Sequence, residues 1–189
     1  MTDSNKALFK SDKTWTLFLD RDGVINQRPP NDYVKDWAEF IFLPGVLEAM
    51  PLLTKNLRYI IVVTNQQGIG KNLMRVDDLM DIHNRMKDEI RRAGGHVDAI
   101  YFCPDLATKS ANCRKPGLTM ARLAQTDFPD INFEKSIMVG DTVTDMQFGK
   151  AAGMLTILVG NPDESIPSGM ADLRFDSLLE FAKSLVAND

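Results

Sequence analysis

Short apolar runs rich in β-branched residues recur along the chain, and stretches of helical periodicity separate them. Residues 16–20, 59–64, 97–102, 135–140 and 155–159 read as buried strands, because both faces of each run are apolar. Residues 45–55, 75–93, 117–126, 143–152 and 176–187 read as helices. The second of these carries Val76, Leu79, Met80, Met86 and Ile90 at helical spacing, with His83 on the same stripe. Strand and helix therefore alternate, which predicts an α/β fold: a three-layer, Rossmann-like parallel sheet of about five strands.

One segment breaks the alternation. Residues 24–43, with Pro29, Pro30, Tyr33 and Trp37, follow the first strand and read as a flap, in the form of a hairpin, over whatever that strand presents. No other insertion is long enough to build a cap domain. Residues 1–13 read as a polar lead-in and 14–189 as one domain, a size that supports a real core.

Several strands end in polar chemistry. The first run ends in Asp20-Arg21-Asp22-Gly23, two carboxylates one residue apart before a turn-forming glycine. Such a pair repels itself unless a cation lies between, and a hard ion such as Mg²⁺ suits oxygen ligands. One carboxylate can then attack an electrophile while the other shuttles a proton. The second run ends in Thr64-Asn65 and the fourth in Gly140-Asp141, with Asp145 one helical turn on. Arg114-Lys115-Pro116-Gly117 adds cations in a loop. In open α/β sheets ligands bind at this carboxyl edge.

Composition adds exclusions. A net charge of −4 disfavours bulk nucleic-acid binding. No apolar run approaches the ~20 residues that span a bilayer. Two cysteines and no apolar leader point to a reducing, cytoplasmic setting. His83 reads as a core histidine and His96, beside Gly94-Gly95, as an exposed one.

In order, these segments resemble the four motifs of the haloacid dehalogenase superfamily of phosphohydrolases. The wording of Asp20 to Asn26, Asp32-Tyr33-Val34, Val63 to Gln66, Tyr101 to Pro104, Cys113 to Pro116 and Gly140 to Met146 is similar to its capless branch of heptose-bisphosphate and histidinol-phosphate phosphatases. The resemblance implies a Mg²⁺-dependent phosphomonoesterase with Asp20 as nucleophile and Asp22 as general acid, then base. It implies Thr64 and the Asn65 amide as phosphoryl contacts, with Lys115 neutralising phosphoryl charge. Asp20, Asp141 and the Asp22 carbonyl would hold the metal, and Asp145 would support its waters or Lys115. Arg114 is the candidate for a second phosphate, making a heptose 1,7-bisphosphate the expected substrate and histidinol phosphate its rival. Arg28, Lys71 and Lys109 read as surface charges, and Asp141 as an N-cap besides its metal role. The expected partner is a small phosphorylated metabolite, and the expected assembly a monomer or small homo-oligomer.

A catalytically idle binder is the alternative of another class, and the intact acid and lysine set argues against it. A carbon–halogen hydrolase needs neither Asp22 nor metal acids. Relatives of the branch commonly carry a zinc loop, Cys-x-His, spacer, Cys-x-Cys. Here Cys103-Pro104-Asp105 and Ala111-Asn112-Cys113 stand in its place, so no structural zinc is expected.

Overall fold

The computed structural model describes residues 13–30, 32–160 and 166–186. The lead-in expected over residues 1–13 lies outside them, apart from Lys13. The described residues form one six-stranded sheet, every neighbouring pair parallel, in the order β3-β2-β1-β4-β5-β6. The strands are β1 (Thr16–Leu19), β2 (Tyr59–Asn65), β3 (Ala99–Cys103), β4 (Ser136–Gly140), β5 (Leu155–Val159) and β6 (Leu173–Phe175). The helices are α1 (Val46–Asn56), the single turn α2 (Gln67–Gly70), α3 (Val76–Arg92), α4 (Thr119–Asp127), α5 (Val143–Ala152) and α6 (Leu178–Val186).

Side-chain alternation on the central strands divides the core into two layers. Leu17 and Leu19 of β1 face α1, α3 and α6 with Met50, Leu53, Ile82 and Phe181. Phe18, between them, faces the other side with Ile61, Met138, Ala121 and Phe148 of α4 and α5. Both faces being covered, β1 and β4 are buried along their whole length. Among the described residues no helix is long and apolar enough to cross a membrane.

Two elements depart from the sequence expectation. The sheet has a sixth strand, β6, only three residues long and half-exposed at the edge, so it carries no buried apolar run. Helix α2 is a single turn directly after β2. The flap is anchored as a hairpin at its base, where Gln27 N–H donates to Ile41 O (2.8 Å) and Leu43 N–H to Ile25 O (3.0 Å). Trp37 stacks on Phe40, and Phe40 meets Phe42 edge-on, each pair at 5.0 Å between ring centroids.

Candidate active site

The chain order of the sheet reverses between β1 and β4: β2 and β3 run off one side of β1, and β4 to β6 off the other. The carboxyl ends of β1, β2 and β4 meet there, which is the switch point where a crevice opens. Asp20 follows β1 and its N–H is held by Val139 O at 3.0 Å. Gly23 turns the chain at φ 92°, and a Cβ there would lie 1.9 Å from Asp141 Oδ2. Only glycine lets the first acid loop approach the third so closely.

Lys115 is the centre of charge. Its Nζ lies 2.8 Å from Asp20 Oδ1 and 2.6 Å from Asp145 Oδ1, and donates to Val63 O at 2.8 Å. All three side chains are buried. The loop that carries it is clamped by Asn65, whose Oδ1 accepts from Lys115 N–H (2.9 Å) and whose amide donates to Lys115 O (3.3 Å). The N-cap of α5 is Thr142, correcting the expectation of Asp141. Thr142 and Asp145 form a capping box, with Thr142 N–H donating to Asp145 Oδ2 at 3.1 Å. Asp145 thus spends one oxygen on the helix and turns the other to Lys115. Asp141, just before the cap, is left free to face Asp20.

Asp22 is held differently. The buried Arg21 guanidinium reaches both its oxygens (2.8 and 3.0 Å), Asn26 donates to Oδ1 (2.9 Å) and Gln66 to Oδ2 (2.8 Å). Burial opposes ionisation, but Arg21 and these donors outweigh it and hold the carboxyl below its usual range. Gln66 also donates to Thr64 Oγ1 at 2.9 Å, linking the ends of β1 and β2. His83 is a core residue, as its stripe implied. Its Nε2 lies 3.3 Å from Arg21, and burial followed by the Arg21 charge pushes its pKa down to about 3.

Asp20, Asp141 and Asp145 place an oxygen each within 4.8 Å of one another. Burial, then the Asp145 charge, raises Asp20 to about 6 despite Lys115. Burial, then the Asp20 charge, raises Asp141 to about 8 despite Arg28. Asp145 has Lys115 as its counter-charge. The three acids together face only two cations, Lys115 and Arg28, so this oxygen set is short of positive charge and fits a hard divalent cation.

Arg28 does not lie free on the surface, as the sequence suggested. Its Nη2 donates to Asp141 Oδ1 (2.9 Å) and Asp22 O (2.8 Å) and lies 3.8 Å from Asp20 Oδ2. Lys71 was also read as a surface charge. It sits 5.2 Å from the Tyr33 ring and lines the same cavity of about 610 Å³ as Arg114, Thr64 and the acids. Tyr33 is fixed by Gln67, which donates to its hydroxyl at 2.9 Å, so the flap rests on α2. Lys109, by contrast, pairs with Asp105 away from the acids (2.7 Å).

Arg21, Asn26, Gln66 and Arg28 are the site residues that sequence reasoning missed. Arg21 stood between the two acids in plain view. A cation set between two carboxylates just past a buried strand is rarely left unpaired, and that was the available signal. Cys103 and Cys113, read as pointing to a reducing setting, are instead joined as a disulfide with Cα atoms 5.4 Å apart. β3 ends at Cys103 and the loop folds back across it, a proximity that spacing alone does not reveal. Asp105 Oδ2 accepts from Cys113 N–H at 3.1 Å and steadies the same turn.

Parallel sheet, flap and crowded acids together define a phosphoryl-transfer hydrolase, and the chain belongs to the haloacid dehalogenase-like family of phosphatases. The HAD-hydrolase-like family matches residues 112–169. The chain is 39% identical over 175 residues to the D-glycero-alpha-D-manno-heptose-1,7-bisphosphate 7-phosphatase of Mycobacterium tuberculosis, covering 89% of this chain and 90% of that one. It is 33% identical over 177 residues to the corresponding beta-anomer enzyme of Neisseria meningitidis, covering 90% and 94%. The D,D-heptose 1,7-bisphosphate phosphatase of B. bronchiseptica, solved with magnesium and phosphate, superposes with a TM-score of 0.82 at 32% identity, covering 93% of this chain and 99% of that chain.

Proposed function

We propose that this phosphatase is Mg²⁺-dependent and removes the 7-phosphate of a D-glycero-D-manno-heptose 1,7-bisphosphate through an aspartyl-phosphate on Asp20. One observation carries the reading: a single cavity is lined both by the cation-hungry acids Asp20 and Asp141 and by the basic group Lys71 and Arg114 around Tyr33. A substrate with two phosphates matches such a cavity, and the relatives' names carry that substrate.

Asp20, Asp141 and the Asp22 carbonyl are the residues that would hold Mg²⁺. When bound, it supplies positive charge for the phosphoryl oxygens. Lys115, already seated on Asp20, balances the charge of the nucleophile and of the phosphoryl group that joins it. The Thr64 hydroxyl and the Asn65 amide are the phosphoryl contacts.

Asp20 attacks phosphorus, and the bond from phosphorus to the C7 oxygen breaks. Asp22 gives a proton to that oxygen. Arg21, Asn26 and Gln66 hold Asp22 ionised at rest; an arriving phosphate dianion raises its proton affinity, and Asp22 takes from solvent the proton it gives. As a carboxylate, Asp22 then takes a proton from the water that attacks the acyl-phosphate. Inorganic phosphate leaves and Asp20 is restored.

The test is a comparison of kcat/KM for both anomers of heptose 1,7-bisphosphate, histidinol phosphate and simple sugar monophosphates, with and without Mg²⁺. A bisphosphate preference that EDTA abolishes is expected. Preference for histidinol phosphate or a monophosphate overturns the substrate.

A further inference from the structure

Arg28 places one nitrogen among the three oxygens assigned above to the metal: Asp141 Oδ1 at 2.9 Å, the Asp22 carbonyl at 2.8 Å and Asp20 Oδ2 at 3.8 Å. A guanidinium and a divalent cation cannot share that space, since both need the same lone pairs. We propose that Arg28 is a tethered counter-ion of the acid site. It latches the flap onto the acids of the metal-free enzyme, and Mg²⁺ must displace it to bind. The inference rests on the reading of Asp20, Asp141 and Asp22 as the metal's residues.

The surroundings suit a side chain that moves. Its backbone is anchored just before it, by Gln27 N–H to Ile41 O at 2.8 Å, and Pro29 and Pro30 follow with no N–H to commit. The Arg28 side chain is more than a third exposed, at 37%. Arg28 and Asp141 line both the substrate cavity and a second one of about 460 Å³ bounded by Leu43, Val159 and Leu178. A released guanidinium therefore has room on either side. Crowded acids explain why the latch forms: in the absence of Mg²⁺, Arg28 is the one cation that reaches Asp141 among the described residues. Mg²⁺ binding then becomes an exchange of one cation for another, and it releases one tether of the flap as it loads the site.

A latch closed in about nine molecules out of ten weakens apparent Mg²⁺ binding about tenfold. The experiment has two readouts, neither of them catalytic. Calorimetric titration with Mg²⁺ alone compares wild type, Arg28→Ala and Asp141→Asn. Amide hydrogen exchange follows Arg28, Asp32 and Tyr33 with and without Mg²⁺. The latch requires that Arg28→Ala bind Mg²⁺ about tenfold more tightly than wild type. It also requires that Mg²⁺ speed exchange of these flap amides in wild type and leave them unchanged in Arg28→Ala. Simple removal of a nearby positive charge would tighten binding but not loosen the flap. Equal or weaker binding by Arg28→Ala, or flap amides that Mg²⁺ protects or leaves alone in wild type, overturns the latch. Wild type that binds no Mg²⁺, or Asp141→Asn that binds it as well as wild type, overturns the metal site and the latch with it.

Discussion

Asp20 and Lys115 form a buried ion pair, Nζ to Oδ1 2.8 Å, and the same ammonium lies 2.6 Å from Asp145 Oδ1. Lys115 is thus part of the fold's charge balance as well as of the chemistry. Lys115→Met should leave buried Asp145 without a counter-charge and Asp20 with only the more distant Arg28, at a cost of about 3–5 kcal/mol of stability. Chemical denaturation measures this, and Mg²⁺ should recover part of the loss by pairing with Asp20. A loss below about 1 kcal/mol would mean that the pair contributes little, as exposed pairs do.

Gln66 positions Asp22 and joins it to Thr64. Gln66→Ala removes a hydrogen bond to a charged group, worth about 1.5–3 kcal/mol, and should lower kcat at least about tenfold with KM little changed. Gln66→Glu should be worse, because it sets a second negative charge against Asp22. Steady-state kinetics on both variants checks the order. Equal activity of Gln66→Glu and wild type would free Asp22 from this assignment.

His83 gives the protein a pH dependence of known sign. Its pKa is about 3 in the fold against 6.5 unfolded, so the unfolded chain binds its proton first as pH falls. The stability tied to a neutral His83 is whole above about pH 6.5 and is lost progressively toward pH 3. His83→Gln keeps an acceptor for Arg21 and cannot titrate. Its denaturation free energy, measured from pH 7 to pH 4, should fall less steeply than that of wild type. Parallel curves would show that His83 titrates alike in the folded and the unfolded chain, and that the fold does not hold it neutral.

Arg114 tests the second phosphate. Its side chain reaches Asp105 O only weakly, at 3.4 Å, and lines the cavity with Lys71. Arg114→Ala should raise KM for a bisphosphate, lowering kcat/KM roughly tenfold to a hundredfold, with a much smaller effect on a monophosphate. Arg114→Lys should recover only part, since the planar fork is lost. Equal losses on both substrates would assign Arg114 to the reacting phosphate or to the loop.

Much of this was legible in the chain. β1, β2, β4 and β5 are continuous apolar runs, and α5 spans Val143–Ala152 as its periodicity indicated. Asp20 and Asp141 stood out because each directly followed such a run. β6 was illegible, because three half-exposed residues at a sheet edge leave no pattern. Gln66 and Asn26 were missed because neutral amides carry no signal of what they will touch. Arg28 was misjudged because its partners Asp22 and Asp141 lie in the loops after two different strands, 6 and 113 residues away in the chain. The Cys103–Cys113 bond likewise depends on how the loop folds back.

Trapping the phosphoenzyme tests the central claim most directly. Protein turning over the bisphosphate with Mg²⁺ is quenched in acid, digested, and the peptide holding Asp20 is weighed. Wild type should carry one phosphoryl group on Asp20 in a small fraction of molecules. Asp22→Asn should raise that fraction, because the water loses its base. Asp20→Asn should show none, with activity down at least about a thousandfold and an unchanged fold. A phosphoryl group on any other residue, or more than a few per cent of wild-type turnover in pure Asp20→Asn protein, would contradict the account.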